Sequence, residues 1–294
     1  MLKRTTKTTA EKVVTNRRVE PDSKFSLNYD FVEPSTNFAD YTWLIYGEKG
    51  IGKTSLCSHF PEAIFLMFEP GGKALRIRTN YINTWGDFKK AIDFLSEDES
   101  MQTVIVDTVD VCYNRCFEHV CKFGFGGIKH PQELDKWAKS QAWDAIKKEF
   151  SNEMSRLMNI GKGVVLTSHS KLLEVTPVRG KSYNVMTPTM GGQAADFCEA
   201  AIDIVGAYMY NDGTERRLQI RGSDFVTAKC RPELNMLTPN GKQVFSIPMG
   251  ESSKESYANI LNAWDNKQKD PGYLNGEDEE DEKDEEEIEE EEEE

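Results

Sequence analysis

The octapeptide Gly47-Glu48-Lys49-Gly50-Ile51-Gly52-Lys53-Thr54 restricts this chain more than any other feature in it. It satisfies the pattern G-x-x-x-x-G-K-[ST], and each fixed position has a chemical reason. Glycines let the backbone wrap a phosphate chain with its amides pointing inward, and a helix that follows adds its positive N-terminal end. Lys53 supplies a mobile positive charge to the terminal phosphates, and the Thr54 hydroxyl is suited to ligate Mg²⁺. Residues 47–54 and Ser55 are therefore the expected nucleotide-binding set, with ATP and Mg²⁺ as the ligands.

Such a loop works only between a strand and a helix. Residues 41–46 form the first continuous apolar run, and residues 54–60 read as the start of a helix. Further short apolar runs at 63–68, 103–106 and 163–167 read as buried strands, with helical stretches at 85–95 and across 112–160. In the second stretch Trp137, Trp143, Phe150 and Leu157 are the expected core anchors. A short helix at 191–200 is followed by strands at 202–210 and 216–220 around the turn Asn211-Asp212-Gly213. Apolar strands alternating with helices give an α/β core with a mainly parallel sheet flanked by helices.

Charge divides the chain. The formal net charge is −14, but residues 277–294 hold sixteen acidic residues and one lysine, so the other 276 residues sum to +1. The expected organisation is a flexible basic arm at 1–38, an ATPase core at 39–250, a C-terminal helix and linker at 251–274, and a disordered acidic tail at 275–294. No apolar run is long enough to cross a bilayer, and six cysteines occur without a secretory leader, so a cytoplasmic protein with no membrane partner is expected. Cys112, Cys116 and His119 share a helical face near Cys121, yet their spacing is not that of ordinary zinc modules, and buried free thiols are the expectation.

Two carboxylates complete the chemistry. Val104-Ile105-Val106-Asp107 reads as a buried strand delivering an acid to the Mg²⁺ side of the site. Glu69 ends the strand after the phosphate-loop helix, at the same sheet edge, where a group is needed to orient or deprotonate water. Asp110 is a weaker competitor for that task.

Taken in order, Phe68-Glu69, Val106-Asp107-Thr108, Thr167-Ser168-His169 and Gly191-Gly192-Gln193-Ala194 before Ala201-Ile202-Asp203-Ile204 resemble the cores of RecA-type recombinases over residues 41–235. Lys229-Cys230-Arg231 resembles the Lys-x-Arg usual in the phage ATPases of the RecA-like single-strand annealing (Sak) group. The resemblance implies a RecA-like P-loop core in which Glu69 activates water. It also implies that His169 senses the γ-phosphate, although RecA itself has glutamine there. Lys229 and Arg231 would reach the nucleotide of a neighbouring subunit in a ring or filament.

The segment after the fourth strand, where RecA-like proteins place a DNA-binding loop, carries Lys171, Arg179, Lys181 and Tyr183, a set able to hold phosphates and stack a base. Residues 123–130, with Phe125, Lys129 and His130, are a second candidate. The expected activity is Mg²⁺-dependent ATP hydrolysis by a self-assembling protein that binds single-stranded DNA in phage recombination or annealing. The alternative is a nucleotide-gated interaction or loader protein acting on another replication protein, such as a single-strand-binding protein met through the acidic tail. A small-molecule kinase would want an arginine-bearing lid that nothing here clearly supplies.

Overall fold

The computed structural model describes residues 31, 34–177, 180–211, 213–234 and 236–273. The expected acidic tail, most of the basic arm and Arg179 lie outside the described residues. The body runs from Thr36 onward.

Its centre is strand β1 (Thr42–Gly47), buried from Trp43 to its end. β1 lies between β5 (Gly163–Val175) and β7 (Ile204–Asn211), parallel to both. On the far side of β5 follow β4 (Thr103–Asp107), β2 (Ala63–Met67) and β3 (Arg78–Tyr81), all parallel. Beyond β7 lie β8 (Glu215–Gln219) and β10 (Ser246–Pro248), each antiparallel to its neighbour. β6 (Tyr183–Pro188) pairs with the outer part of β5, and β9 (Lys229–Cys230) with the start of β7. The expected α/β class with a mainly parallel sheet is therefore present, with one strand, β5, between the phosphate-loop strand and the strand that ends in Asp107.

Both faces of this sheet are covered, which is why its strands read as continuous apolar runs rather than alternations. Leu44, Tyr46, Val104, Val106, Val164 and Leu166 point to one face, and Trp43, Ile45, Phe65, Ile105 and Val165 to the other. The first face packs against α2 (Trp85–Glu97), α3 (Val109–Gly124), α4 (Lys136–Met158) and α5 (Gly192–Ala201). α2 starts at Thr84, whose hydroxyl accepts the Asp87 amide, and buries Trp85, Phe88, Ile92 and Leu95 at helical spacing. α4 starts where the Asp135 carboxylate accepts the amides of Trp137 and Ala138. The second face packs against α1 (Lys53–Cys57) and α6 (Ser253–Trp264).

The expected C-terminal helix is part of the body: α6 buries Ile260 and Ala263 in the core, and Tyr257 and Trp264 ring Phe38 together with Phe60. The chain then returns to the sheet, where the Phe245 amide donates to Pro271 O. Trp137 is not a core anchor but is 72% exposed, whereas Phe150 and Leu157 are buried as expected and Trp143 is partly covered. β3 gave no apolar signal because it is an edge strand whose side chains face largely outward.

The direction of α3 and α4 decides what stands above the sheet. α2 returns from the C-terminal edge of the sheet, after β3, to the N-terminal edge before β4. Glu149 accepts from Trp85 Nε1 (2.8 Å) and Lys89 Nζ (3.0 Å), and Arg156 meets Asp93 further along, so α4 descends beside α2. Tyr113 meets Phe150 at 5.2 Å and Phe117 meets Trp143 at 5.7 Å, so α3 runs opposite to α4. The helical pair therefore rises beyond the phosphate edge of the sheet, and the part of α4 before Phe150 overhangs it by roughly 20 Å at 1.5 Å per residue.

Phe150 joins these helices, touching the rings of Trp85, Tyr113 and Phe197 with no exposed surface to speak of. Phe150→Ala is expected to lower stability by about 3–5 kcal/mol, read as a fall in the urea midpoint at unchanged slope.

Candidate nucleotide site

Parallel strands deliver their C-terminal ends to one edge, and four of them meet here. Register pairs Met67 with Asp107, Asp107 with Thr167, and His169 with Gly47, so the residues after β1, β2 and β4 and the middle of β5 share one rim. Between them lies a cleft of about 320 Å³ lined by residues of the phosphate loop and by Glu69, Gly71, Asp107, Thr108 and His169. Crevices at strand C-terminal ends are where ligands bind in open α/β sheets.

The loop is shaped by two glycines. A Cβ on Gly47 would stand 2.1 Å from the Tyr208 carbonyl oxygen of the adjacent strand, so no other residue fits between β1 and β7 there. Gly52 has φ +113°, a backbone that side-chain-bearing residues rarely adopt, and it turns the chain into α1. Glu48, Lys49, Gly50 and Ile51 form the arch between them. Lys53 is only 7% exposed, and its Nζ donates to Gly47 O (2.8 Å) and Glu48 O (2.9 Å). Burial lowers its pKa, while Asp107 and Asp110 pull it back up. Those carbonyls hold the ammonium across the loop, in position to trade them for phosphate oxygens.

Asp107, 6% exposed, uses both carboxylate oxygens. Oδ2 accepts from Thr54 Oγ1 and Oδ1 from Thr167 Oγ1, each at 2.7 Å. A hydroxyl and a carboxylate in contact are the hard oxygen donors that Mg²⁺ takes, and they fit it. Among the described residues no cluster of three or more histidine, cysteine or acidic side chains is placed to hold a metal, so the remaining ligands would be phosphate oxygens and water. The cysteines that share a face with His119 are buried thiols, and burial raises the pKa of Cys112 and Cys116.

Glu69 faces the cleft from the opposite wall. Its Oε2 lies 3.4 Å from His169 Nε2, and Thr108 Oγ1 donates to its Oε1 at 3.5 Å. Asp110 is already engaged: it accepts from Ser168 Oγ at 2.8 Å and from the His169 amide at 3.0 Å. It fixes the backbone under His169, and Glu69 is left as the carboxylate with open reach into the cleft.

Lys229 and Arg231 stand elsewhere. β9 pairs with the first residues of β7, and Arg231 Nε donates to Asp203 Oδ1 at 2.6 Å, beside Thr42 at the start of β1. That is five residues, about 16 Å of strand, from Gly47. Lys229 Nζ donates to the Glu199 carbonyl. Neither reaches the phosphate loop of its own chain. Lys171 and Tyr183 lie on the outer hairpin of β5 and β6, with Lys181 exposed near its turn and the Tyr183 ring 5.9 Å from that of Phe225.

One residue escaped sequence reasoning. Arg216 on β8 donates from Nη1 to Ile51 O (3.4 Å) and from Nε and Nη2 to Gly250 O (3.2 and 2.7 Å), which ties the back of the phosphate loop to the segment before α6. No local pattern marks it, because its partner is 165 positions away. Lys53→Ala is expected to weaken nucleoside triphosphate binding by roughly 10- to 100-fold, the scale of charge-assisted hydrogen bonds. Arg216→Ala, which removes the brace between Ile51 and Gly250, should cost about tenfold or less; titration with a fluorescent nucleotide measures both.

No curated protein matches the chain. A solved structure, the KaiC-like protein PH0186 from the hyperthermophilic archaeon Pyrococcus horikoshii OT3, is similar at 14% identity over 63% of this chain and 80% of that one, with a TM-score of 0.38. The family model described as "AAA domain" matches residues 39–232, a span that holds the phosphate loop, Glu69, Asp107, His169, Lys229 and Arg231. The match covers well over half of the chain and includes its phosphate loop, so the chain belongs to the AAA domain family of nucleotide-binding P-loop proteins.

Proposed function

We propose that this protein is a Mg²⁺-dependent ATPase of the RecA-like single-strand annealing group, which assembles into rings or filaments and binds single-stranded DNA in phage recombination or annealing. The observation that supports it best is the Glu69–His169 pair. Glu69, whose contacts to His169 and Thr108 are long at 3.4 and 3.5 Å, is in position to orient water and take its proton. Mg²⁺, held by Thr54 with Asp107 behind it, would neutralise charge developing on the phosphates. Lys53 and the loop amides orient the phosphate chain.

His169 connects this chemistry to the outer hairpin. Its carbonyl accepts from Thr189 N (2.9 Å) and Thr189 Oγ1 (3.3 Å), which closes the hairpin, while its ring faces Glu69. A displacement of the hairpin by DNA held on Lys171, Lys181 and Tyr183 therefore acts directly on the residue beside the water-orienting carboxylate. The distance of Lys229 and Arg231 from their own phosphate loop supports their use on a neighbour's nucleotide, which makes hydrolysis depend on assembly.

Glu69→Gln is expected to cut ATP turnover by about 10²- to 10⁴-fold with nucleotide binding retained. Lys229→Ala should abolish the rise in specific activity with protein concentration, and single-stranded DNA should stimulate the parent but neither variant. Unchanged rates in both would overturn the assignment. The acidic run at 277–294 favours a second reading, a nucleotide-gated loader that meets a basic partner protein. Removal of residues 275–294 separates the two: DNA affinity rises if the run competes with DNA, and a protein complex is lost if the loader reading holds.

A further inference from the structure

Asp203 stands where three strands meet. It joins α5 to β7, and register sets the start of β1 on one side of it and the end of β9 on the other. Its carboxylate divides its oxygens between them. Oδ2 accepts from Thr42 N at 2.9 Å and Thr42 Oγ1 at 2.7 Å, while Oδ1 accepts from Arg231 Nε at 2.6 Å. The backbone repeats the pairing, since Asp203 N donates to Thr42 Oγ1 (2.9 Å) and Arg231 N to Asp203 O (3.2 Å). Asp203 is thus fixed by β1 and in turn fixes Arg231.

The guanidinium is held by one nitrogen. An arginine paired for stability frequently turns its fork of N–H groups onto both carboxylate oxygens. Here, among the described residues, Nε alone is engaged, and the Arg231 side chain is 45% exposed against 21% for Asp203. The plane of the guanidinium is set, and its terminal edge is left uncommitted. Lys229 lies on the same side of β9, because Cys230 between them turns into the core. Its Nζ donates to the Glu199 carbonyl in the last turn of α5, where carbonyls lack helical partners. Burial lowers the Lys229 pKa and Arg231 lowers it further, while Asp203 and Glu199 act against both. Asp203 therefore also offsets the repulsion between two neighbouring cations.

We infer that Asp203 is a positioning residue of the assembled enzyme: it grips Arg231 by one edge and presents the other edge to the nucleotide of a neighbouring subunit. An ion pair this exposed contributes little to stability by itself, so fold alone gives weak reason for the arrangement. Orientation gives a stronger one. A planar fork with its rotation already fixed meets phosphate oxygens with less entropy to lose, and a cation displaced by about 1 Å costs up to a hundredfold in rate. This inference rests on the reading above that Lys229 and Arg231 act across a subunit contact, and deepens it by naming what aims them.

The test uses the full chain with Mg²⁺ and ATP, at protein concentrations where the parental specific activity no longer rises. Asp203→Asn keeps an oxygen for Thr42 but turns an N–H donor toward Arg231 Nε. Turnover should fall about ten- to a hundredfold, with nucleotide affinity and thermal unfolding at parental values. Asp203→Glu, which returns the charge, should recover most of the rate. The decisive readout is complementation. Glu69→Gln subunits keep their cations and Asp203→Asn subunits keep their clefts, so an equal mixture restores about one contact in four, and its activity rises well above the mean of the separate variants. A mixture no more active than that mean, or loss of nucleotide binding and thermal stability in Asp203→Asn, makes Asp203 a structural residue and overturns the inference. Parental or raised turnover in Asp203→Asn, with Lys229→Ala still impaired, overturns it too and leaves the neighbour reading standing. If Lys229→Ala and Arg231→Ala both leave turnover and its dependence on protein concentration unchanged, that reading falls and this inference with it.

Discussion

The Asp107 carboxylate is the point on which the nucleotide edge depends. It is almost wholly buried, and a buried charge is tolerated only when its oxygens are satisfied. Thr54 and Thr167 do this from two different elements, the phosphate-loop helix and the neighbouring strand. One side chain thus locks α1 to β4 and β4 to β5. The same carboxylate lies near the Lys53 ammonium, so the two charges stabilise each other in a place where either alone would be costly. The edge is preorganised before any ligand arrives, because the groups that would meet the phosphates and metal already hold one another in place.

From that point two lines of contact lead outward. Along β5, Ser168 and His169 are clamped by Asp110 from below, while the strand continues past the sheet into the hairpin with β6. One strand is thus both part of the core and an arm of the hairpin. Along the other line, Asp107 gives way to α3, which leaves the sheet and rises with α4 above the same edge. The nucleotide cleft is therefore overlooked by two projections that originate on adjacent strands. Behind the cleft, Arg216 and α6 brace the phosphate loop, so the last helix of the body stabilises its most functional turn.

Much of this arrangement was legible in the residues. The phosphate loop, its strand and the carboxylates at 69 and 107 are local features. A buried parallel strand writes itself as an apolar run, and the residue that ends it lies at the C-terminal edge wherever the strand falls in the sheet. Glu69 and Asp107 are placed at that edge by this rule, and Lys53 and Thr54 by the loop motif, whereas His169, in the middle of β5, came from the family resemblance. What could not be read were features whose cause is distant in the chain. Trp143, Phe150 and Leu157 recur every seven residues, but whether the turn that carries Trp137 packs or overhangs depends on where α4 lies against the sheet. The union of α6 with the core depends on rings from Phe38, Phe60 and Trp264 meeting across more than two hundred residues.

The sequence by itself determined that the chain holds a phosphate-binding loop on an α/β core, because glycine, lysine and threonine at that spacing constrain backbone geometry over eight residues. Tertiary structure alone decided which groups meet. Strand order placed β5 between β1 and β4, and so put Thr167 against Asp107 and His169 against Glu69. Helix direction lifted Phe123 and Trp137 clear of the core. It also set Lys229 and Arg231 at the far end of β1 from their own loop. Each depends on how long-range packing resolves, and a pattern of neighbouring residues contains no term for that.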